Sequence, residues 1–300
     1  MTAMACLCGA CGAEFEAEPE GGHRLMCGDS TGADDVARLA NGAEADLCFT
    51  SPPYAQQREY KGGAIPWDDL MRGVFGVLPV KHDAQVLLGL VHRDGEWMPY
   101  WDGWIAWMRE QGWRRFGWYV WDQGPGLPGD WNGRLAPSHE FVFHFNREAK
   151  RALKTKVSKM AGLPVGGNGL RSADGSISRK TNEGRVYQDR KIPDSVIRVM
   201  RQKGGIGNAG KHGAIFPVAL ATEMLTAFSD PGDIVYEPFA GSGTQLISAE
   251  QNGRTCLAME QAGAYVDVAA RRFQPFTGTD AILECDGRTF AQIAEARDGA

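Results

Sequence analysis

The chain has 300 residues, 43% of them hydrophobic and 23% charged, a composition typical of a globular protein with a substantial core. No run approaches 18 consecutive apolar residues, so we expect no membrane span. Residues 1–19 lack the basic and apolar regions of a secretory signal. The odd number of cysteines, seven spread along the chain, favours a reducing cytoplasm over a disulfide-bonded fold.

The net charge of −5 conceals a strong asymmetry along the chain. Residues 147–211, here called the basic segment, carry 16 lysines and arginines against five acidic residues, a net charge of +11. The other 235 residues carry 16 basic and 32 acidic groups, a net charge of −16. Such a concentration of positive charge is typical of a surface that binds a polyanion, whatever the charge of the whole protein.

Short apolar runs alternate with helical periodicities along the chain. We predict strands at 23–29, 45–50, 85–92, 116–121, 140–145, 233–237 and 254–260. We predict helices at 97–111, 217–228, 245–252 and 264–273, and a short amphipathic helix around residues 290–294. The first helix is predicted from a stripe of tryptophans that ends at Met108. Gly-, Ser- and Asn-rich stretches in the basic segment predict loops. Strands alternating with helices predict the α/β class, with a doubly wound, mostly parallel sheet.

We predict five segments from these patterns: an N-terminal tail or small zinc-ribbon-like element at 1–22, a first half of the α/β domain at 23–146, an insertion at 147–211, a second half at 212–273 and an extension at 274–300. Cys8 and Cys11 have the spacing of a zinc-binding pair. Further candidate ligands are Cys6, His23 and Cys27. The competing interpretation is a tail with incidental thiols, because His23 and Cys27 also flank a predicted strand.

A glycine-rich turn follows the predicted strand at 233–237. Gly241 and Gly243 permit a tight turn and let a ligand approach the backbone closely. Glu260 ends the next predicted strand, where a carboxylate can bind a ribose hydroxyl pair. Leu246 replaces the third glycine of the dinucleotide-binding pattern, and the P-loop lysine is absent, so a nucleoside-type cofactor without a pyrophosphate fits better. Packing alone is the competing explanation for the glycines.

A second turn, Ser51-Pro52-Pro53-Tyr54, follows the predicted strand at 45–50. Two consecutive prolines cannot continue a central strand, so the chain leaves the sheet at its carboxyl edge, where open α/β sheets bind ligands. We expect the carbonyl oxygens of Ser51 and Pro52 to act as acceptors and Tyr54 to offer a stacking face. This combination suits an exocyclic amine that is held in plane. The alternative is a proline-stiffened surface turn.

Together the two turns resemble the motifs of the DNA amino-methyltransferases, which transfer a methyl group from S-adenosylmethionine to N6 of adenine or N4 of cytosine. The order of the turns, with the basic segment between them, is similar to the circularly permuted β class of that family. The resemblance covers residues 23–273. It implies a Rossmann-like methyltransferase sheet, a target base flipped out of the duplex, and a cytoplasmic enzyme of a bacterium or phage that serves restriction-modification.

The resemblance also implies roles for individual residues. The catalytic turn, Ser51, Pro52, Pro53 and Tyr54, would hold the target amino group and stack on the base. The implied cofactor-binding residues are Asp29, Ser51, His212, Phe216, Pro217, Glu237, Pro238, Phe239, Gly241, Ser242, Gly243, Thr244 and Glu260. The residues expected to bind DNA are Arg147, Lys150, Arg151, Lys154, Arg171, Arg179 and Lys180. The first four have the spacing of one helical face, for which a solvated surface is the alternative.

The sequence leaves several alternatives open. Ser51 stands where many adenine-specific members have Asp, so the target base, adenine or cytosine, is undecided. The alternative functions are an RNA or protein amide N-methyltransferase and a catalytically inactive DNA-binding relative. Some members of the family form dimers, so a homodimer is a candidate assembly. No nuclease motif is visible, so a restriction endonuclease partner would be a separate chain.

Overall fold

The computed structural model of the chain describes residues 4–8, 22–53, 66–90, 101–126, 128–129, 133, 135–165, 170–178, 184–201 and 216–298. The helices are α1 (Ala33–Ala40), α2 (Trp67–Gly76), α3 (Asp102–Glu110), α4 (Val218–Phe228), α5 (Thr244–Gln251), α6 (Gly263–Thr277) and α7 (Phe290–Asp298). The strands are β1 (Met4–Cys8), β2 (His23–Cys27), β3 (Ala45–Thr50), β4 (Val80–Leu90), β5 (Arg114–Asp122), β6 (His139–Asn146), β7 (Lys156–Val157), β8 (Leu170–Arg171), β9 (Ile177–Ser178), β10 (Arg190–Lys191), β11 (Val196–Arg198), β12 (Ile234–Glu237), β13 (Thr255–Glu260) and β14 (Ala281–Leu283). Among these helices, none combines the length and the apolar character that a membrane span requires.

Ten of these strands form one sheet in the order β11-β5-β6-β4-β3-β12-β13-β2-β1-β14. Within this described sheet, β6 alone runs antiparallel to its neighbours. All six residues of β3 are buried, as expected for a central strand that is covered on both faces. The predicted α/β class with a mostly parallel, doubly wound sheet is therefore confirmed.

Helices cover both faces of the sheet. On one face, apolar side chains of α1, α2 and α3 pack with β4 and β6, and Trp104 and Phe145 are fully buried there. On the other face, α4, α5 and α6 pack with β12 and β13 around Leu246 and Phe273. These two apolar layers hold the strands in register and fix the positions of the turns at the sheet's carboxyl edge.

The predicted strands are found with small shifts in their ends, but the ends of the chain differ from the prediction. Residues 4–8 are a strand of the main sheet, because β1 pairs with both β2 and β14. Helix α6 continues to Thr277, beyond the predicted boundary at 273, and β14 then returns to the sheet. Strands β1 and β14 are short, and β14 pairs with β1 at the opposite end of the chain, so periodicity did not reveal them.

Two helices were missed and one is shorter than predicted. The sequence at the ends of α1 is typical of a helix. Asp34 and Asp35 lie in its first turn, Arg38 lies in its last turn, and Asn41 caps it in the left-handed conformation. The predicted helix at 97–111 is a helix only from Asp102 to Glu110 within the described residues. Helix α2 was missed altogether.

The predicted helical face at Arg147–Lys154 is wrong, because residues 147–155 are not helical. Backbone hydrogen bonds tie this stretch to the body instead, with Leu153 N–H donating to the Ala227 carbonyl at 2.8 Å. Farther on, β7 pairs with β10, and residues 158–165 continue alongside 185–189 as an irregular ladder. We call residues 156–191 the arm.

Candidate functional site

The candidate site lies at the carboxyl edge of the sheet, where the turns after four adjacent strands meet. These turns follow β3, β12, β13 and β2, which are consecutive in the sheet and parallel. Strand β3 leads into the predicted catalytic turn, and β12 leads into the glycine-rich turn, residues 238–243, here called the cofactor loop. The chain connection reverses between these two strands, and such a switch point opens a crevice for ligands.

The catalytic turn is anchored by a tryptophan that the sequence did not single out. Pro52 is buried and Ser51 is half-buried, while Tyr54 lies outside the described residues. The indole of Trp67, the first residue of α2, donates a hydrogen bond from Nε1 to the Pro53 carbonyl at 3.1 Å. Trp67 in turn packs edge-on against Trp104, with the ring centroids 5.8 Å apart. The turn is therefore held by the core under it.

The cofactor loop requires glycine at position 243. Gly243 has a φ of +75°, and a Cβ there would lie 2.8 Å from the Cβ of Ala269. Arg272 of α6 holds the same loop, since its Nη1 donates to the Ser242 carbonyl at 2.5 Å and to Ser242 Oγ at 2.7 Å. Arg272 was not predicted, because its partners lie about one helix and one strand away in sequence.

Glu260 ends β13 and accepts two backbone hydrogen bonds. Its Oε2 accepts from Gly241 N–H at 2.8 Å and its Oε1 from Ala262 N–H at 2.9 Å. Burial raises the pKa of this carboxyl, and the two N–H donors oppose that shift. The structure thus brings Glu260 to the cofactor loop, as the sequence predicted, and each oxygen keeps a lone pair for a further donor.

The turn after β2 joins the cofactor loop from its other side. Ser30 Oγ donates to the Pro238 carbonyl at 2.6 Å, which ties the two turns together. Asp29 is exposed, and its Oδ1 accepts from both the backbone N–H and the hydroxyl of Thr31, at 2.9 and 2.8 Å. Asp29 therefore lies beside the predicted cofactor site with its carboxylate already oriented.

Glu237 lies at the end of β12 with only 1% of its surface exposed. Its Oε1 accepts from Thr50 Oγ1 and from Phe239 N–H, the latter at 3.0 Å. Its Oε2 has no hydrogen-bond partner within the described part of the chain. Burial raises the pKa of Glu237 to about 8. The hydrogen bonds from Thr50 and Phe239 oppose this shift, Glu260 adds to it, and the Gln245 side chain opposes it.

These features fit a nucleoside-type cofactor. A glycine turn without Cβ atoms allows close approach, Glu260 offers acceptors for hydroxyl groups, and the buried Oε2 of Glu237 lacks a hydrogen-bond partner among the described residues. Phe216 contacts Phe49 edge-on with centroids 5.5 Å apart, and Pro217 precedes α4. The remaining predicted cofactor residues, Pro238, Phe239, Ser242 and Thr244, lie in or next to the cofactor loop. His212 lies outside the described residues.

The residues predicted to bind DNA are not brought together at this edge. Because β6 is antiparallel, it ends at Asn146 opposite Gln85, toward the amino end of β4. There Arg147 stacks over the ring of Trp113, 4.1 Å from its centroid, and Lys150 pairs with Asp83 at 2.8 Å.

The other predicted DNA-binding residues lie along or beyond that stretch. Lys154 donates to Gln188, and Arg151 is exposed. Arg171 is exposed on β8. Arg179 and Lys180 lie outside the described residues.

Two arginines that were not predicted do lie at the site edge. Strand β11 pairs in parallel with the end of β5, so Arg198 is opposite Asp122. Arg201 follows and donates to the Pro125 carbonyl. Trp121 Nε1 donates to the Val199 carbonyl at 2.8 Å and secures this segment. The end of the basic segment is thus fixed beside the turns that follow β5.

The zinc hypothesis loses one of its candidate ligands. Both ring nitrogens of His23 are engaged, Nε2 with Glu250 at 3.1 Å and Nδ1 with the Cys256 N–H at 3.0 Å. No cluster of three metal-ligating side chains occurs among the described residues. Cys11 lies outside them, so zinc at Cys8 and Cys11 stays an untested prediction.

Comparisons with known proteins agree with this geometry. The profile of the DNA methylase family matches residues 45–271. The type II methyltransferase M.XycI of Xanthomonas campestris pv. cyanopsidis is 29% identical over 163 residues, which is 53% of this chain and 45% of that protein. The chain thus spans about half the length of this curated relative, and 47% of the type II methyltransferase M.Cfr9I of Citrobacter freundii, at 27% identity over 56% of this chain.

A solved structure shares the fold over most of the chain. The PvuII DNA methyltransferase, described as cytosine-N4-specific, superposes with a TM-score of 0.59 at 20% identity, covering 85% of this chain and 89% of that one. The family profile spans both turns of the site and most of the sheet between them. The chain therefore belongs to the DNA methylase family.

Proposed function

We propose that the protein transfers a methyl group from S-adenosylmethionine to the exocyclic amino group of adenine or cytosine in DNA. The observation that carries this proposal is the meeting of the two turns, Ser51–Pro53 and the cofactor loop, at adjacent parallel strands of one sheet edge. The crevice between them gives an amine and a methyl donor neighbouring sites. A serine at position 51 does not distinguish adenine from cytosine, so both bases remain in the proposal.

The residues of the cofactor half fit the expected donor. Glu260 would accept the ribose hydroxyls, Asp29 would lie at the adenine, and the cofactor loop would follow the backbone of the ligand. When bound, S-adenosylmethionine supplies an activated methyl group. Glu237 is buried at the end of β12, and its Oε2 has no hydrogen-bond partner among the described residues. Arg272 keeps the loop in place from behind.

The catalytic turn would orient the nucleophile. Ser51 Oγ and the Pro52 carbonyl would accept hydrogen bonds from the target amino group, which aligns its lone pair with the methyl carbon. Tyr54 would stack on the base after it leaves the duplex, a step that costs a few kcal/mol. Holding the reacting atoms in line is the main contribution of such a site, since no covalent intermediate with the protein is needed.

The basic segment supports DNA as the substrate. Its net charge of +11 suits the phosphate backbone. We extend the proposal to a cytoplasmic role in bacterial restriction-modification, with any endonuclease as a separate chain and a homodimer as a candidate assembly.

Incubation with S-adenosylmethionine and unmethylated DNA, followed by nucleoside mass spectrometry, tests the proposal. We expect N6-methyladenine or N4-methylcytosine, and the product decides the base. Matched incubations with RNA and with a protein mixture serve as controls. Methylation of RNA or protein without methylation of DNA, or no methylation of several unrelated DNAs, would overturn the proposal in favour of the alternative functions.

A further inference from the structure

At the bottom of the crevice, side-chain hydrogen bonds take over from backbone pairing, because the pairing between β3 and β12 ends before this level. Strands β3 and β12 pair through Leu47 with Val235 and Cys48 with Tyr236. Beyond these pairs, side-chain hydrogen bonds connect the end of β3 to the end of β12 and to α5. These bonds lie where one strand enters the catalytic turn and the other enters the cofactor loop.

Two side-chain hydrogen bonds, here called bridges, connect neighbouring elements at this level. Thr50 Oγ1, from the residue directly before Ser51, donates to Glu237 Oε1. Gln245, in the first turn of α5, donates from Nε2 to the Phe49 carbonyl at 3.0 Å. Thr50, Glu237 and Gln245 are each no more than 1% exposed. Buried hydrogen bonds of this kind are strong constraints, because breaking one leaves an unpaired polar group without water.

The first bridge extends into the cofactor loop itself. The same Oε1 of Glu237 that accepts from Thr50 also accepts from Phe239 N–H at 3.0 Å. One carboxylate oxygen therefore links the residue before the catalytic turn to a backbone amide of the loop. A shift of either turn stretches one of these two bonds.

We propose that Thr50 is a positioning residue that sets the separation between the catalytic turn and the cofactor loop through Glu237, with Gln245 as the second bridge. This inference rests on the proposed methyl transfer. An in-line transfer tolerates little misplacement, and an error of about 1 Å can cost 100-fold in rate. Thr50 is fully buried and its hydroxyl is bonded to Glu237, so its role in this proposal is to hold the two turns at the required distance.

The test compares Thr50→Val with Thr50→Ser. Valine keeps the shape of threonine and removes the hydroxyl, whereas serine restores the donor. The matched control is Thr277→Val, because Thr277 is also buried, at 3% exposure, and donates to the Phe273 carbonyl at 3.0 Å within α6. Single-turnover methyl transfer to DNA is measured together with the dissociation constants for S-adenosylhomocysteine and for DNA.

We expect the transfer rate of Thr50→Val to fall about 10- to 100-fold while both dissociation constants change less than about threefold. Thr50→Ser returns to within about threefold of the wild-type rate, and Thr277→Val keeps the wild-type rate. The inference is overturned if Thr50→Val transfers as fast as Thr277→Val, or if serine restores nothing. A wild-type protein that methylates no DNA overturns the proposed function, and this inference with it.

A second readout needs neither cofactor nor DNA. Because the bond from Thr50 lowers the pKa of Glu237, its loss in Thr50→Val moves the titration of that carboxyl to higher pH. The neighbouring titratable groups, which remain unchanged, are Cys48 on β3, Tyr236 on β12, and Cys256 and Glu260 on β13. The melting temperature of the free protein, followed from pH 6.5 to 8.5, reports this shift. An unshifted pH profile in Thr50→Val contradicts the bridge.

Discussion

The two halves of the site edge differ in charge. The cofactor half, formed by the turns after β12, β13 and β2, presents the carboxyl groups of Glu260 and Asp29. The other half, from β3 across to β11, presents the cations Arg198 and Arg201 at its far end. One edge thus offers acceptors to a hydroxyl- and cation-bearing ligand on one side and positive charge to a polyanion on the other. The difference teaches that one edge of a mostly parallel sheet can carry opposite charges on its two sides.

The largest expected effect is that of Ser51→Ala, which should impair methyl transfer much more than cofactor binding. We expect the methyl-transfer rate to fall about 10²- to 10³-fold, because one group that orients the amine in the transition state is lost. The affinity for the cofactor should fall far less than the rate, because Ser51 is only one of the predicted cofactor contacts and most of the others lie after β12, β13 and β2. Tritium transfer to DNA and equilibrium cofactor binding measure the two effects.

The reciprocal control is Glu260→Gln, on the cofactor half. This variant weakens the acceptors for the backbone N–H groups of Gly241 and Ala262, so cofactor binding falls while binding of DNA alone persists. Full activity of Ser51→Ala, or weakened DNA binding in Glu260→Gln, would break the division into two halves.

The second comparison is between the arm and the stretch before it. Arg185 is exposed in the arm and has no side-chain partner among the described residues, whereas Lys150 pairs with Asp83 near the amino end of β4. Arg185→Ala should weaken DNA binding a few-fold and reduce the slope of log K against log salt by about 0.9. Lys150→Ala should leave that slope unchanged. Fluorescence anisotropy over a salt series measures both, and equal slopes for the two variants would contradict the hypothesis that the arm, and not the stretch before it, contacts DNA.

The smallest expected effect concerns stability and pH. Burial raises the pKa of Glu237 to about 8. Its contribution to the stability of the folded protein is therefore full below its ordinary pKa and is lost as pH rises through about 8. Burial lowers the pKa of His144 to about 4, so its contribution is lost as pH falls from 6.5 toward that value. Glu237→Gln should therefore flatten the decline of melting temperature between about pH 5 and pH 8, and outside that window its profile should run parallel to the wild-type profile.

Glu110→Gln, at an exposed glutamate of α3, is the control for this measurement. It should reproduce the wild-type dependence of melting temperature on pH over the whole range. The buried thiols of Cys48 and Cys256 also have raised pKa values, but they act at higher pH than this window. A profile of Glu237→Gln that matches that of Glu110→Gln would show that the buried carboxyl does not titrate there.

The central strands and both turns of the site could be predicted because each is a contiguous pattern. Residues 45–50 are apolar and end in two prolines, and the cofactor loop joins a strand and a helix through closely spaced glycines. The helical face at 147–154 was predicted from spacing alone and is wrong, since this stretch is tied instead by contacts with Trp113, Asp83 and Ala227. Spacing shows which side chains could share a face, but not whether a helix forms.

By itself the sequence determined the fold class, the family resemblance and the order of the two turns, because local hydrophobic runs and turn residues depend on near neighbours. Only the tertiary structure decided which residues support those turns. Trp67 reaches Pro53, Arg272 reaches Ser242, and Thr50 reaches Glu237 across 187 residues. Tertiary packing also decided which cations are paired with the body, such as Lys150 with Asp83 and Lys156 with Glu223, and which, such as Arg185, stay exposed. These contacts depend on how strands are ordered in the sheet, and no local pattern in the chain encodes that order.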